Sequence, residues 1–170
     1  GDDDRDNVNS NYGAHTLLSY ITRINYSFAD KYLFGPLGIE ERKWPKDPQG
    51  NNTGGFALCL RTRDMAKIGQ LYLNGGVWNG QKILPSNWIT RTTQKYSEGG
   101  RPHGENYGYH VWVTEVNGYS AYFAGGYGGQ FIYVVPELDL VVAITSQLDK
   151  HREYHRNIVD KFIVPGIINN

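Results

Sequence analysis

The sequence predicts an α+β protein in which an antiparallel sheet is flanked by helices. Three observations carry this. Strand-like apolar and aromatic runs crowd between residues 107 and 145 with only short connections, which favours an antiparallel meander over a parallel sheet with long crossovers. Apolar residues at helical spacing precede those runs. A last helical pattern follows them, so helices have a sheet face to cover.

The first ten residues, opening Gly1-Asp-Asp-Asp-Arg-Asp6, are acidic and asparagine-rich with little apolar content, and read as an exposed lead-in. From Tyr12 to Tyr26, Leu17, Leu18, Ile21 and Ile24 recur at three- and four-residue spacing, the stripe of an amphipathic helix. Ala29–Phe34 reads as a helical turn or short helix, stopped by Gly35-Pro36-Leu37-Gly38, because proline lacks a donor and glycine ends helices. Residues 44–55, rich in Pro, Asp, Asn and Gly, read as loop.

Thr62 precedes an Arg63–Leu73 stretch in which Met65, Ile68, Leu71 and Tyr72 share one face and Gly75-Gly76 follows. A capping residue, an apolar stripe and a glycine stop predict a helix with Thr62 at its start. Asn79-Gly80 is a turn signal, and Pro85-Ser86 opens a short helix carrying Trp88, Ile89 and Thr92. Residues 95–106 read as loop. Strands are expected at 107–114, 119–124, 130–135 and 140–145, separated by Asn117-Gly118, glycine clusters and Pro136-Glu137. A final helix over 149–163 should lay Tyr154, Ile158, Val159 and Phe162 on the sheet.

Composition bounds the function. Seventeen basic residues balance seventeen acidic ones, and no Lys/Arg cluster is long enough to recruit nucleic acid or an anionic membrane. No apolar run approaches the ~20 residues of a membrane span. Cys59 has no second cysteine to pair with, so it reads as a small core residue rather than part of a disulfide or multi-cysteine metal site. The five histidines, at 15, 103, 110, 151 and 155, are scattered. Only His151 and His155 sit one helical turn apart, and without a third ligand nearby they read as a surface helix face; no metal site is assigned.

Four stretches, taken in order, carry a resemblance. They are Phe34-Gly-Pro-Leu-Gly-Ile39 with Trp44; Gly54-Gly55 leading into Thr62-Arg-Asp-Met-Ala-Lys-Ile-Gly-Gln-Leu-Tyr72; Asn74-Gly-Gly-Val-Trp-Asn-Gly-Gln-Lys-Ile-Leu-Pro85 with Trp88, then Tyr107-Gly-Tyr109 with Trp112; and Phe123-Ala-Gly-Gly-Tyr-Gly-Gly-Gln130. The chain resembles the β-lactamase-like serine hydrolases, a family of penicillin-binding proteins, class C β-lactamases, esterases and nylon-oligomer hydrolases. The resemblance implies a partial β-lactamase-like fold, with residues 1–170 forming the C-terminal portion of such a domain.

Such enzymes use a Ser-x-x-Lys motif, whose one-turn spacing sets the lysine amine beside the serine hydroxyl for acyl transfer. No serine here is followed three residues later by lysine. The resemblance therefore implies an N-terminal segment that is cleaved off, separately encoded or left out of the chain, or else a degenerate family member. It further implies that Asn9-Ser-Asn11 stands where Tyr-x-Asn is expected, which makes Asn11, and by a shifted register Tyr12, candidate catalytic residues. Both equally suit the cap and first turn of a helix. Ala124-Gly125-Gly126 aligns with Lys-Thr-Gly as a substrate-binding strand, and the family's backbone oxyanion donor, a kind of group that contributes about 3 kcal/mol, falls near Tyr127. Loss of that lysine argues for an ester or amide without a β-lactam's carboxylate. Tyr109 and Trp112 are candidate substrate-cleft walls, although aromatics on a half-buried strand also serve as core.

Two functional expectations stay open. One is a hydrolase acting through an acyl-enzyme, without a cofactor, on a small ester, amide, peptide-like or β-lactam substrate, its nucleophile coming from an N-terminal segment or partner chain. The other is a non-catalytic binding or scaffolding domain that keeps the fold. An incomplete sheet-and-helix stack would leave apolar faces exposed, so a held partner chain or self-association is expected. Periplasmic or extracellular placement is implied by the family only.

Overall fold

The computed structural model of the chain describes residues 26–52, 57–100, 103–126, 128–146 and 153–169. Most of the helix expected over 12–26 therefore lies outside the described residues. What is described is a mixed α and antiparallel β structure built on one five-stranded meander.

The meander comprises β5 (Asn106–Tyr107), β6 (Trp112–Val116), β7 (Tyr119–Gly125), β8 (Phe131–Val135) and β9 (Leu140–Ile144), hydrogen-bonded in sequence order. Its register pairs Trp112 with Phe123, Phe123 with Tyr133 and Tyr133 with Val142. Because side chains alternate between faces, these residues form one bulky row across the sheet. Their rings touch, with Phe123 and Tyr133 centroids 4.8 Å apart. The opposite face carries a smaller row, Ala124, Ile132 and Ala143. The β6–β7 hairpin closes through Asn117 and Gly118, both at positive φ, as the twist of a two-residue turn requires.

Helix α2 (Thr62–Leu73) lies on the small-residue face, burying Met65, Ile68 and Leu71. Gly69 sets that approach: a Cβ there would come within 2.5 Å of Val141 Cγ1 and 2.8 Å of Ile132 Cγ2. The same core takes in Leu33 and Phe34 from α1, whose turn Tyr26–Ala29 widens into a π-helical stretch Asp30–Phe34, and Leu60 from the two-stranded sheet of β1 (Arg42–Lys43) and β2 (Cys59–Leu60). Asp30 and Arg42 form an ion pair between α1 and β1. A second hairpin, β3 (Val77–Trp78) with β4 (Gln81–Lys82), turns at Asn79-Gly80 and leads to the short helix α3 (Ser86–Thr92).

On the bulky face runs the C-terminal helix α4, helical over Glu153–Ile158, π-helical over Val159–Ile163 and α-helical again over Val164–Ile168. Its buried residues are His155, Val159 and Val164. The face expected from a uniform helical period is corrected: Tyr154, Ile158 and Phe162 are exposed, Phe162 at 71%. Ahead of the π-helical stretch the inward positions are His155 and Val159, four apart, which turns Tyr154 and Ile158 outward; across it the next buried residue, Val164, follows Val159 by five positions instead of a 3.6-residue turn, and Phe162 is left exposed. His155, one α-helical turn before Val159 and held by Ser146 and the Phe131 ring, is a core residue at 2% exposure, not part of a surface face.

Three further expectations are revised. Thr62 is the first residue of α2 and not its cap; Arg61 takes the cap position without a side-chain bond, and the Thr62 hydroxyl pairs with Thr145 Oγ1 at 2.8 Å. Cys59 is half-buried because β2 alternates, giving the interior to Leu58 and Leu60, and partial desolvation raises its thiol pKa. The single strand expected over 107–114 is interrupted at 108–111. Gly108 packs against Thr92, with no room for a Cβ, and donates its N–H to the Val111 carbonyl, while His110 takes a left-handed φ of 60°.

Candidate functional site

Antiparallel strands return their connections to alternate ends, so the β5–β6 loop and the β7–β8 turn emerge at the same end of the sheet. The candidate site residues that the structure describes gather there.

Ala124 and Gly125 close β7. The Ala124 side chain is buried against α2 and borders a small cavity shared with Gly69, Tyr72, Val111 and Tyr122. Gly125 meets the opposite face, where a Cβ would fall 2.7 Å from His103 Nε2; the glycine is what lets His103 stand edge-on to Trp112, Phe123 and Phe131. Gly126 begins the turn, donating its N–H to the Gln130 carbonyl at 2.8 Å. Asn11, Tyr12 and Tyr127 lie outside the described residues.

The two aromatic candidates part company. Trp112 is 8% exposed and packs within the bulky-face core against Tyr107, Phe123 and His103. Tyr109, 36% exposed, borders an open cleft of about 450 Å³ with Trp88, Arg91, Tyr107, Gly108 and His110. Its ring stacks on Tyr96 with centroids 4.3 Å apart. Hydrogen bonds to the hydroxyls of Tyr109 and Tyr96 raise the Arg91 pKa further, so its charge is fixed. Burial lowers the His110 pKa, favouring a neutral ring. The cleft thus offers aromatic faces, one permanent cation and a weakly basic imidazole. Among the described residues no carboxylate lines it.

Below the β7–β8 turn lies a buried polar cluster the sequence reading did not assign. Gln130, 2% exposed, accepts the Gly128 N–H on Oε1 at 3.2 Å and donates through Nε2 to the Ser146 carbonyl at 2.8 Å. Ser146 Oγ lies 3.2 Å from both the Gly128 and Gly129 carbonyl oxygens and 2.8 Å from His155 Nε2. The one signal in the sequence was a polar Gln130 at the head of the apolar run 131–135; Ser146 and His155 are brought to it by the chain's return. Among the described residues no group of three or more His, Cys, Asp or Glu side chains is arranged to hold a metal.

Against known proteins, the family model described as Beta-lactamase matches residues 10–161. Among curated proteins none matches the chain. Three solved structures share its fold. A Bacillus anthracis protein provisionally described as a 6-aminohexanoate-dimer hydrolase is 24% identical at a TM-score of 0.62, over 84% of this chain and 35% of its own length. A Bacteroides dorei protein provisionally described as a β-lactamase is 15% identical at a TM-score of 0.56, over 83% of this chain and 50% of its own. A β-lactamase from Mycobacterium bovis is 15% identical at a TM-score of 0.59, over 78% of this chain and 54% of its own. The chain thus spans about a third to a half of each.

Proposed function

Because the chain belongs to the β-lactamase family, we propose that it is the C-terminal part of a serine hydrolase that cleaves a small ester or amide through an acyl-enzyme. The nucleophile is the serine of a Ser-x-x-Lys segment N-terminal to these residues or on a partner chain. Residues 124–126 border the acyl group, the N–H near Tyr127 receives the oxyanion, and Asn11, with Tyr12 by a shifted register, serves substrate orientation and proton transfer. The observation that carries this reading is the convergence, at one end of the sheet, of the β7–β8 turn and the aromatic cleft beside Tyr109.

A preorganised N–H lowers the barrier because it meets charge that develops only in the transition state, at no reorganisation cost. On either side of that position the Gly126 N–H bonds to the Gln130 carbonyl and the Gly128 N–H to the Gln130 side chain. Alanine in place of lysine at position 124 removes a cation from the strand, which favours substrates without a carboxylate at that point. The cleft walls, Trp88 and Tyr109, suit a planar or extended acyl or leaving group. Trp112 contributes by supporting the strand that carries the loop.

A second reading, a binding domain without chemistry, is favoured by Asn9 at the tyrosine position of the Tyr-x-Asn motif. Intact mass spectrometry of the native material, denatured and then native, separates the two. The hydrolase reading expects a longer polypeptide, or a copurifying chain, that contains Ser-x-x-Lys and hydrolyses p-nitrophenyl butyrate. A lone species without that motif contradicts it.

A further inference from the structure

The buried cluster of Gln130, Ser146 and His155 contains a serine and a histidine at the separation of a nucleophile and its base, 2.8 Å between Oγ and Nε2. Counting protons gives it a different role. A serine hydroxyl has one hydrogen and two lone pairs, and a carbonyl oxygen can only accept. Ser146 Oγ faces two carbonyl oxygens, of Gly128 and Gly129, both at 3.2 Å. Its single hydrogen must go to one of them, because otherwise lone pairs would face lone pairs on both sides. Oγ then receives its remaining hydrogen bond from His155, whose Nε2 carries the proton. The pair is wired opposite to a catalytic dyad, in which the histidine accepts from the serine. With two carbonyl oxygens against Oγ, the hydroxyl is also hemmed in where an attacked carbonyl carbon would need to approach.

What the cluster does hold is the turn. Gln130 clamps it from within, accepting from Gly128 and tying Ser146 below, while the Ser146 hydroxyl donates to the Gly128 or the Gly129 carbonyl. His155 anchors Ser146 to α4 and stacks on Phe131 at 5.0 Å between ring centroids. Gly129, at φ 89°, admits no side chain: a Cβ would lie 2.2 Å from Ser146 Oγ and 2.6 Å from His155 Cε1. Gln130 and His155 are each 2% exposed, so these bonds work in a low-dielectric interior where lost partners are costly.

We propose that Gln130, Ser146 and His155 are positioning residues, a clasp by which α4 and the segment just after β9 fix Gly128–Gln130, the return of the β7–β8 connection, in the geometry the hydrolytic reaction uses. This rests on the hydrolase reading above. It implies that the turn's backbone is set from behind, through the C-terminal helix, and not by the substrate side alone.

The test uses the longest natural form of the protein with p-nitrophenyl butyrate as substrate. S146A and H155M are expected to lower kcat on the order of 10–100-fold, as a misplacement near 1 Å does, with KM close to wild type, Tm lowered by about a few degrees for the buried bonds lost, and faster amide exchange confined to peptides covering 124–131. H155Q, which keeps an N–H donor at the same end of the side chain, is expected to recover most of kcat. Unchanged kcat in S146A overturns the clasp. So does a loss in which kcat follows Tm and H155Q fares no better than H155M. Labelling of Ser146 by a fluorophosphonate would overturn the proton assignment and make it a nucleophile. If wild type hydrolyses no ester, the hydrolase reading fails and the catalytic role of the clasp falls with it; unaltered exchange at 124–131 in S146A is instead a failure of the clasp itself.

Discussion

At the scale of single residues, the structure separates side chains that look alike in sequence. His103 and His155 are packed among rings, the first edge-on to Trp112, Phe123 and Phe131, the second stacked on Phe131. His110 sits at the cleft, where burial lowers its pKa. That shift has a sign for stability. As pH falls through the unfolded-state value of about 6.5, the unfolded chain takes up a proton at this site before the folded one does, so protonation favours unfolding. Stability is fully present above that pH, declines below it, and levels once pH passes the lowered folded value. The unfolding free energy in urea of wild type minus that of H110Q is therefore expected to fall as pH drops from 7 to 5. A rise in that signed difference over the same range would mean the folded ring is stabilised as its cation. The same left-handed backbone that places His110, at φ 60°, was not legible in the sequence: no glycine or asparagine marks the position, and the turn follows from Gly108 pressing against Thr92.

At the scale of elements, the meander was readable because its signals are local. Alternating runs and the turns at Asn117-Gly118 and Pro136-Glu137 locate β7 to β9 to within a residue, while the run expected over 107–114 divides into β5 and β6. Helix α2 was readable for the same reason, its buried stripe of Met65, Ile68, Leu71 and Tyr72 being the one the spacing marks. The face of α4 was not, because the inward position one turn before Val159 is a polar residue, His155, and a π-helical stretch then widens the spacing to Val164. This gives a direct contrast. Val159→Ala removes a fully buried side chain and is expected to cost about 2 kcal/mol in urea unfolding. Phe162→Ser, at an exposed site, is expected to shift stability by less than about 0.5 kcal/mol. Equal losses at the two positions would put Phe162 in a packed interface and undo the assigned face. The buried cluster was hidden for a related reason: Gln130, Ser146 and His155 are far enough apart in sequence that only the hairpin return and the helix bring them together.

At the scale of the whole molecule, two layers of helix enclose the sheet, and the end where β7 gives way to β8 is where glycine-rich backbone, aromatic cleft and buried polar support meet. The family and its fold were legible from the order of four motifs, because those motifs mark the turns and helix starts that shape the sheet. The chemistry was legible only as a requirement: acyl transfer needs a serine activated by a neighbouring amine, and the 170 residues contain no Ser-x-x-Lys. The most direct test is to treat the longest natural form of the protein with a fluorophosphonate probe and map the modified peptide. Labelling is expected at the serine of a Ser-x-x-Lys segment outside residues 1–170, with none on this chain, Ser146 included. No labelling in a folded preparation, or labelling confined to these 170 residues, would contradict the assignment of this chain as the C-terminal part of a serine hydrolase.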